Sequence, residues 1–387
     1  MNVIMFHSVG QESSDWNRSY LSVPVTQLEY FFRYLRKHNY ATWFMDDWYS
    51  CRKPHQRLTR DIVLTFDDGY LDNWVFLFPL LKKYNIKATI FVNPGFVDPS
   101  LDQRKTLLDV WNGNLAISDL SPLGFLNWAE IVAMQKSGLV DIQSHSMTHD
   151  WVFSSNSLID VYSKQPDYDW ISWLLYPNQK YQYISDPSVS TRTPIGYPVF
   201  EFGRALGVRK YNPSLELIKF ASQQAERFHD SSIAVFDTDA IIKRIVEYGK
   251  RNSFGEYETE KEQIERYWYE LSKAKEILEC RLDKPVDYLC WPGGGYNQIS
   301  VSMSWDAGYK ASTIASWDTK TIPDNSGPNK RIKRFSCSHK ISVRDTHYYL
   351  MKRSIMARSL RATSGSYMDL MILRAVKAFV SFKEYCT

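Results

Sequence analysis

Two adjacent carboxylates, Asp67 and Asp68, end the apolar run DIVLTF at 61–66, and Gly69 follows at once. Neighbouring side chains on a strand point to opposite faces, so such a pair can divide labour. One carboxylate can serve a reacting group while the other binds a cation, which would also offset a repulsion that otherwise raises one pKa. An Asp-Gly pair is equally what a simple turn asks for. A second fragment, DIQSHSMTHD at 141–150, sets His145 and His149 four apart behind another apolar run. On a helical turn this spacing puts both imidazoles on one face, within reach of one metal ion; two surface histidines would look the same. Joined to a carboxylate, they make a set of one acid and two histidines that leaves metal positions open to water and substrate. The chain has only eight histidines, so the coincidence is less cheap. A third fragment, YLCWPGGGYN at 288–297, holds three consecutive glycines. They let the backbone approach a ligand closely and present N–H groups, or else make a flexible turn.

Each fragment needs a strand to carry it. Strands are expected at 2–6, 61–66, 88–92, 139–143, 286–290 and 309–314, runs too apolar and too short for half-exposed hairpins and suited to a buried parallel sheet. Helical spacing fills the gaps: Leu28, Phe31, Phe32 and Leu35 within 26–38; Leu71, Val75, Phe78 and Leu81 within 71–84; and a charged stretch over 259–281. In NWAEIVAMQKSG, Asn127 caps, Glu130 stands three residues on and Gly138 closes the helix. Strand followed by helix, repeated, implies a parallel sheet or barrel, whose chemistry sits at the carboxyl ends of its strands.

The rhythm breaks between 151 and 255, where Trp, Tyr, Pro and Ser crowd together and helical patterns return only near 213–229 and 238–250. We read 1–150 and 256–344 as the barrel, 151–255 as an insertion or lid over its active face, and 345–387 as a basic helical tail. In that tail DLMILRAVKAFVSFKEY sets Met371, Leu373, Val376, Phe379 and Val380 roughly along one side. Such a helix either packs on the barrel or lies on an anionic membrane surface.

Composition excludes several classes. A net charge of +4 over 387 residues is too mild to argue for nucleic acid. Five scattered cysteines without paired spacing read as reduced thiols. The start, MNVIMFHSVG, lacks the basic and long apolar regions of a secretory signal, and no apolar run is long enough to span a bilayer. If Met1 is the true start, the expected location is the cytoplasm, with peripheral contact to the inner face of the membrane through the C-terminal helix.

TFDDGYLDNWVFLFPLLKKYNIKATIFV, GFLNWAEIVAMQKSGLVDIQSHSMTH and LCWPGGGYN resemble the polysaccharide deacetylases, the NodB-homology domains of carbohydrate esterase family 4. The likeness covers roughly 1–150 and 259–336, and IMFHSVG is similar to the first strand of bacterial members. It implies an α/β fold, a distorted (β/α) barrel of the NodB-homology type with a large insertion and a helical C-terminal tail. It also implies hydrolysis of an N-acetyl group on an amino sugar and a divalent metal, usually Zn2+, with Co2+, Ni2+, Fe2+ and Mn2+ as alternatives. By this resemblance Asp67 is the catalytic base, Asp68, His145 and His149 are the metal ligands, and the Gly293 amide helps bind the oxyanion. His7 and Tyr296 fall to the substrate side of the site.

The chain departs from the family in two places. Where many members carry the arginine that holds the base, this sequence has Cys290, and Arg334 in RIKRFSC resembles a late arginine that replaces it. The family's late acid histidine has no clear counterpart; His339 in CSHK is the first candidate and His347 the second, and Asp67 returning its own proton is the alternative. Arg192, Arg204, Arg209 and Lys210 lie among the aromatics of the insertion, and guanidinium groups suit phosphates. The expected partner is therefore an amino-sugar glycan or a diphosphate-linked precursor made for a cell-surface polysaccharide. Two other readings keep the fold: a hydrolase of a non-sugar amide, and a glycan-binding barrel without catalysis.

Overall fold

The six apolar runs form strands, Asn2–Phe6, Asp61–Phe66, Ala88–Val92, Val140–Ser144, Tyr288–Cys290 and Ala311–Ala315, each buried along nearly its whole length. The computed structural model describes residues 2–10, 19–50, 60–186, 188–189, 192–227, 229–230, 235–315, 318, 330–337, 340–343, 346–349 and 354–386. A further strand, Arg331–Ser336, completes the set. In RIKRFS a buried arginine takes the alternate position to a buried isoleucine, so no apolar run announces the strand.

All these strands are parallel and pair in a ring: 2–6, 331–336, 311–315, 288–290, 140–144, 88–92, 61–66 and back to 2–6. Two irregularities distort this barrel. The short strand Ala41–Trp43 pairs with the first half of 61–66, whereas 88–92 pairs with its second half. At the other irregularity, 140–144 meets 288–290 through a single paired position, Leu289 with Ser144. There the Gln143 side chain accepts from the Tyr288 amide at 3.0 Å and takes the place of a ladder bond.

Helices shield the ring. Val25–Lys37 buries Leu28, Phe31, Phe32 and Leu35 against Phe6, Leu64 and Ile90, each such side chain being worth about 2 kcal/mol of apolar burial. The charged stretch 259–281 is one continuous rod, Glu260–Trp268 and Ala274–Leu282 joined by a π-helical turn at Tyr269–Lys273. Trp128–Lys136 starts where expected: the Asn127 side chain accepts from the Glu130 amide at 2.9 Å, and Glu130 accepts from the Asn127 amide at 3.0 Å. The buried Glu130 carboxylate is also gripped by Arg104.

Within 151–255, Trp151–Val161 and Pro198–Arg204 pair antiparallel, and their inner faces join Trp170, Trp173 and Tyr211 in an aromatic core. That core also takes in Tyr70, Phe96 and Phe125 from loops at the barrel mouth. At the C-terminus, Ile355–Thr363 buries Ile355, Met356 and Leu360, and Tyr367–Cys386 follows it. No described helix is long and apolar enough to cross a membrane.

Asn127 lies beside the chemistry as well as in the core, because the next residue, Leu126 on its N-terminal side, donates its amide to the Gly69 carbonyl at 3.0 Å. Asn127→Ala removes the cap and the bond from its Nδ2 to the Asp102 carbonyl. Urea unfolding should show a loss of about 1–2 kcal/mol; an unchanged midpoint would mean that the cap contributes nothing here.

Candidate active site

The Asp pair is set by backbone conformation before any side chain acts. The Asp67 amide donates to the Phe6 carbonyl at 3.0 Å, and the chain then turns through two left-handed residues, Asp68 (φ 75°) and Gly69 (φ 68°). A left-handed aspartate costs of order 1 kcal/mol and persists where its surroundings over-determine it. The turn buries both carboxylates at the carboxyl end of 61–66, only 2% and 8% exposed.

His145 and His149 do meet Asp68, but not on a helical turn. Residues 145–150 form an irregular loop in which Ser146 (φ 63°) and His149 (φ 54°) are left-handed. Neighbours supply the order a helix would have given. Asn93 Nδ2 donates to the carbonyls of His145 and Ser146, and the Gly95 amide donates to the Met147 carbonyl at 2.9 Å. From the π-helical turn, buried Glu270 accepts from the amides of Met147 and Thr148 at 3.1 and 2.9 Å. Glu270 and Asn93 were not singled out from the sequence. The available signal for Glu270 was its phase: it falls beside Leu271 on the buried stripe of Gln263, Tyr267, Ala274 and Leu278.

His145 Nε2 lies 3.0 Å and His149 Nε2 3.3 Å from the same oxygen, Asp68 Oδ1. The His145 Nδ1 is 2.8 Å from the Cys290 carbonyl, and a carbonyl only accepts, so Nδ1 carries the proton. In the neutral ring Nε2 then presents a lone pair to a carboxylate oxygen, two acceptors in contact. Asp68 Oδ1 is buried without an aligned hydrogen bond. Three converging donor atoms, within 4.8 Å of one another, fit a divalent cation. Burial pushes the Asp68 carboxyl up, and it is positive charge at this point, on protonated His149 and His145 or on a cation between the three groups, that holds it well below the ordinary value. Burial, aided by Arg204, takes His149 down to about 3 against the pull of Asp68, leaving a neutral imidazole ready to ligate.

Asp67 is held separately. Arg334 Nη1 and Nη2 reach its two oxygens at 2.7 and 2.8 Å, a bidentate pair, while Nη2 lies 3.0 Å from Cys290 Sγ and Nη1 donates to Thr65 Oγ1 at 3.1 Å. The small thiol leaves the space into which this arginine reaches from two strands away in the ring. Burial raises the Asp67 pKa, but Arg334, with His7 and His145, brings it below the ordinary carboxylate value. His7 Nε2 is 3.7 Å from Asp67 Oδ2. Its loop is tied down by Asp72, which accepts from Ser8 Oγ, and by Asn73 Nδ2, which donates to the His7 carbonyl at 3.0 Å.

These groups form the floor of a cavity of about 390 Å³, lined also by Tyr20, Trp151, Trp291, Gly293 and Arg204. That size is ordinary for a small-ligand site. Gly293 is left-handed (φ 52°), and a Cβ on it would fall 2.2 Å from Arg204 Nε, so glycine alone fits beneath this guanidinium. Arg204 stacks over Trp151 at 3.7 Å and places Nη1 3.4 Å from His149 Nδ1.

Other expected residues are elsewhere. Arg209 donates to the Glu258 carbonyl and lies over Tyr257, and the Lys210 amide is bound by the Glu258 side chain. Arg192 is exposed, 3.7 Å from Asp186. The four basic residues thus form no single phosphate grip; only Arg204 lines the cavity. Tyr296 does not line it either: its hydroxyl donates to Asp318 at 2.6 Å and also meets Arg331, and its ring packs near Trp291. His339 lies outside the described residues, as does the side chain of His347.

A family model described as "Polysaccharide deacetylase" matches residues 55–165, the stretch that contains both aspartates and both histidines. Over 97 residues the chain is 33% identical to "Putative polysaccharide deacetylase YxkH" of Bacillus subtilis (strain 168), covering 23% of this chain and 30% of that protein. It is 26% identical over 163 residues to the poly-beta-1,6-N-acetyl-D-glucosamine N-deacetylase of Escherichia coli (strain K12), covering 41% of this chain and 23% of that one. The chain thus spans under a third of the length of either curated relative. Among solved structures, a de-N-acetylase from Aggregatibacter actinomycetemcomitans aligns over 86% of this chain and 93% of its own, at 16% identity and a TM-score of 0.49.

The two carboxylates have separable duties, which metal content tests. His149→Ala should lower bound divalent metal after reconstitution with Zn2+ by at least about tenfold, as loss of one of three ligands implies. Asp67→Asn should bind one equivalent, as is expected of the unaltered protein. Equal metal loss in both variants would contradict the division.

Proposed function

We propose that this chain is a metal-dependent N-deacetylase that removes an acetyl group from an amino sugar within a glycan or glycan precursor, as part of cell-surface polysaccharide biosynthesis. The observation that carries the reading is the convergence of Asp68, His145 and His149 on one point, with a separately held, ionised Asp67 beside it on the cavity floor. The family match over 55–165 supports amide hydrolysis, and the E. coli relative named as an N-deacetylase of an N-acetylglucosamine polymer supports an amino sugar.

An amide is a poor electrophile, and its leaving amine must be protonated. Asp68, His145 and His149 would hold a divalent cation, with zinc as our assignment, which would supply Lewis acidity to polarise the acetyl carbonyl and to lower the pKa of the attacking water. Asp67, ionised on the cavity floor, is placed to take the proton from the attacking water. Arg334 keeps its oxygens ionised and fixed, so the base is in place before the substrate arrives. The amides of Gly294 and Gly295 are occupied by the carbonyls of Trp291 and Pro292. Gly293 lines the cavity, and among the described residues its amide has no backbone partner, so it is our candidate to meet the developing oxyanion. Asp67 then returns its proton to the amine as the tetrahedral species collapses.

The sugar ring would be held by Trp151 and Trp291 and by Arg204, whose guanidinium is fixed on the Trp151 face. One guanidinium suits the hydroxyls or a single anionic group of a glycan rather than a diphosphate. In this reading the 151–255 insertion is the lid that brings Arg204 to the site. A protein that only binds glycans has no need of an ionised base beside a metal site, so the non-catalytic reading has no observation in its favour.

Acetate release from partially purified poly-N-acetylglucosamine oligomers is the direct test; none from the zinc-loaded protein on any N-acetylated amino-sugar glycan or precursor would overturn the proposal. Arg204→Ala should raise KM by roughly tenfold or more, the worth of one charge-assisted contact, whereas Arg209→Ala should leave KM unchanged. Arg334→Met removes the main group that opposes burial of Asp67, so its pKa rises. The acidic limb of kcat/KM should therefore move to higher pH by at least about one unit. A limb that does not move would show that Arg334 does not tune the base.

A further inference from the structure

The helix Tyr367–Cys386 has two faces of different fate. On one, Asp369 is 1% exposed and bound by Arg358 and Arg361, and Leu373 packs on the barrel core. Ile372, Val376 and Val380 follow it half-buried. On the other face Met368, Met371, Ala375, Ala378, Phe379 and Phe382 repeat every three or four residues and are all exposed, Phe379 by 70% and Phe382 by 68%. Three- and four-residue spacing aligns them in one stripe, and nothing among the described residues covers it.

Charge decides the occupant. Arg374 is exposed at one border of the stripe, and Lys377 is exposed further round the same side of the helix. The helix carries two acids, Asp369 and Glu384; Asp369 is turned inward and neutralised by two arginines. The outer face is thus apolar and cationic, with no exposed acid among its described side chains. A second copy laid along it would bring the same cations to one seam and repel. An anionic bilayer surface instead takes Phe379, Phe382 and the methionines into its acyl boundary while its head groups meet Arg374 and Lys377. A helix of 20 residues, about 30 Å long, anchored along its opposite face, can lie flat on such a surface.

We infer that this face docks the protein on an anionic lipid surface. The test is flotation of the full-length protein with vesicles of phosphatidylcholine, with and without phosphatidylglycerol, at low and high salt. Binding should require phosphatidylglycerol and weaken with salt. Replacing Arg374 and Lys377 together by glutamine should lower the partition coefficient roughly 30-fold. Phe379→Ser with Phe382→Ser should abolish binding while leaving the circular dichroism spectrum and metal content unchanged. Failure to float with anionic vesicles overturns the inference, as does equal binding to neutral ones. Concentration-dependent dimers that the Phe379→Ser, Phe382→Ser variant abolishes, without vesicle binding, would overturn it in favour of a second copy.

Discussion

Ionised carboxylates at a barrel mouth are tolerable only with counter-charge, and the site is organised around that constraint. Removing a carboxylate from water costs several kcal/mol unless a partner restores what hydration supplied. Asp67 receives Arg334 on both oxygens, and the Asp68 oxygen that faces the Nε2 lone pairs of two imidazoles calls for a cation between them. Each aspartate thereby acquires its own field. That separation keeps two adjacent acids, which would otherwise share a proton, ionised together and free for different tasks.

Meeting the constraint recruits distant parts of the chain. Arg334 comes from a strand 267 residues beyond Asp67, in the ring next to the first strand. It fits because Cys290 on a third strand is small. The histidine loop owes its shape to Asn93 behind one strand and Glu270 on the 260–282 rod, which satisfy amides and carbonyls that a helix would have satisfied internally. The irregular seam between 140–144 and 288–290 lies at this same place. There a side-chain amide and the His145 ring replace ladder bonds, and so the barrel is distorted where its chemistry is densest.

The insertion and the C-terminal helix extend the barrel in opposite senses. The insertion's aromatic core is continuous with Tyr70, Phe96 and Phe125 at the mouth, so Arg204 reaches the cavity on a braced strand rather than a free loop. The C-terminal helix uses one face to hold itself against the body and leaves the other unmatched.

Much of this was legible in the linear chain. Apolar runs of five or six residues ending in chemistry fix a buried parallel strand, because nothing else satisfies both their hydrophobicity and their length. The Asn127–Glu130 cap was readable because it is local, its partners three residues apart. Asp67, Asp68, His145 and His149 were nameable from type and spacing, but the helical turn expected for the histidines was wrong, since their geometry depends on Ser146 and His149 adopting left-handed conformations that only tertiary hydrogen bonds sustain. The strand 331–336 escaped notice because its key inward residue is an arginine, buried for a partner far away in sequence. Among the basic residues of the insertion, composition could not separate Arg204 from Arg209; their strands and neighbours did. Sequence determines what is decided by solvent and by the nearest few residues. Which charges face one another across a closed ring is decided only when the ring closes, because Coulomb energy depends on distance in space and not along the chain.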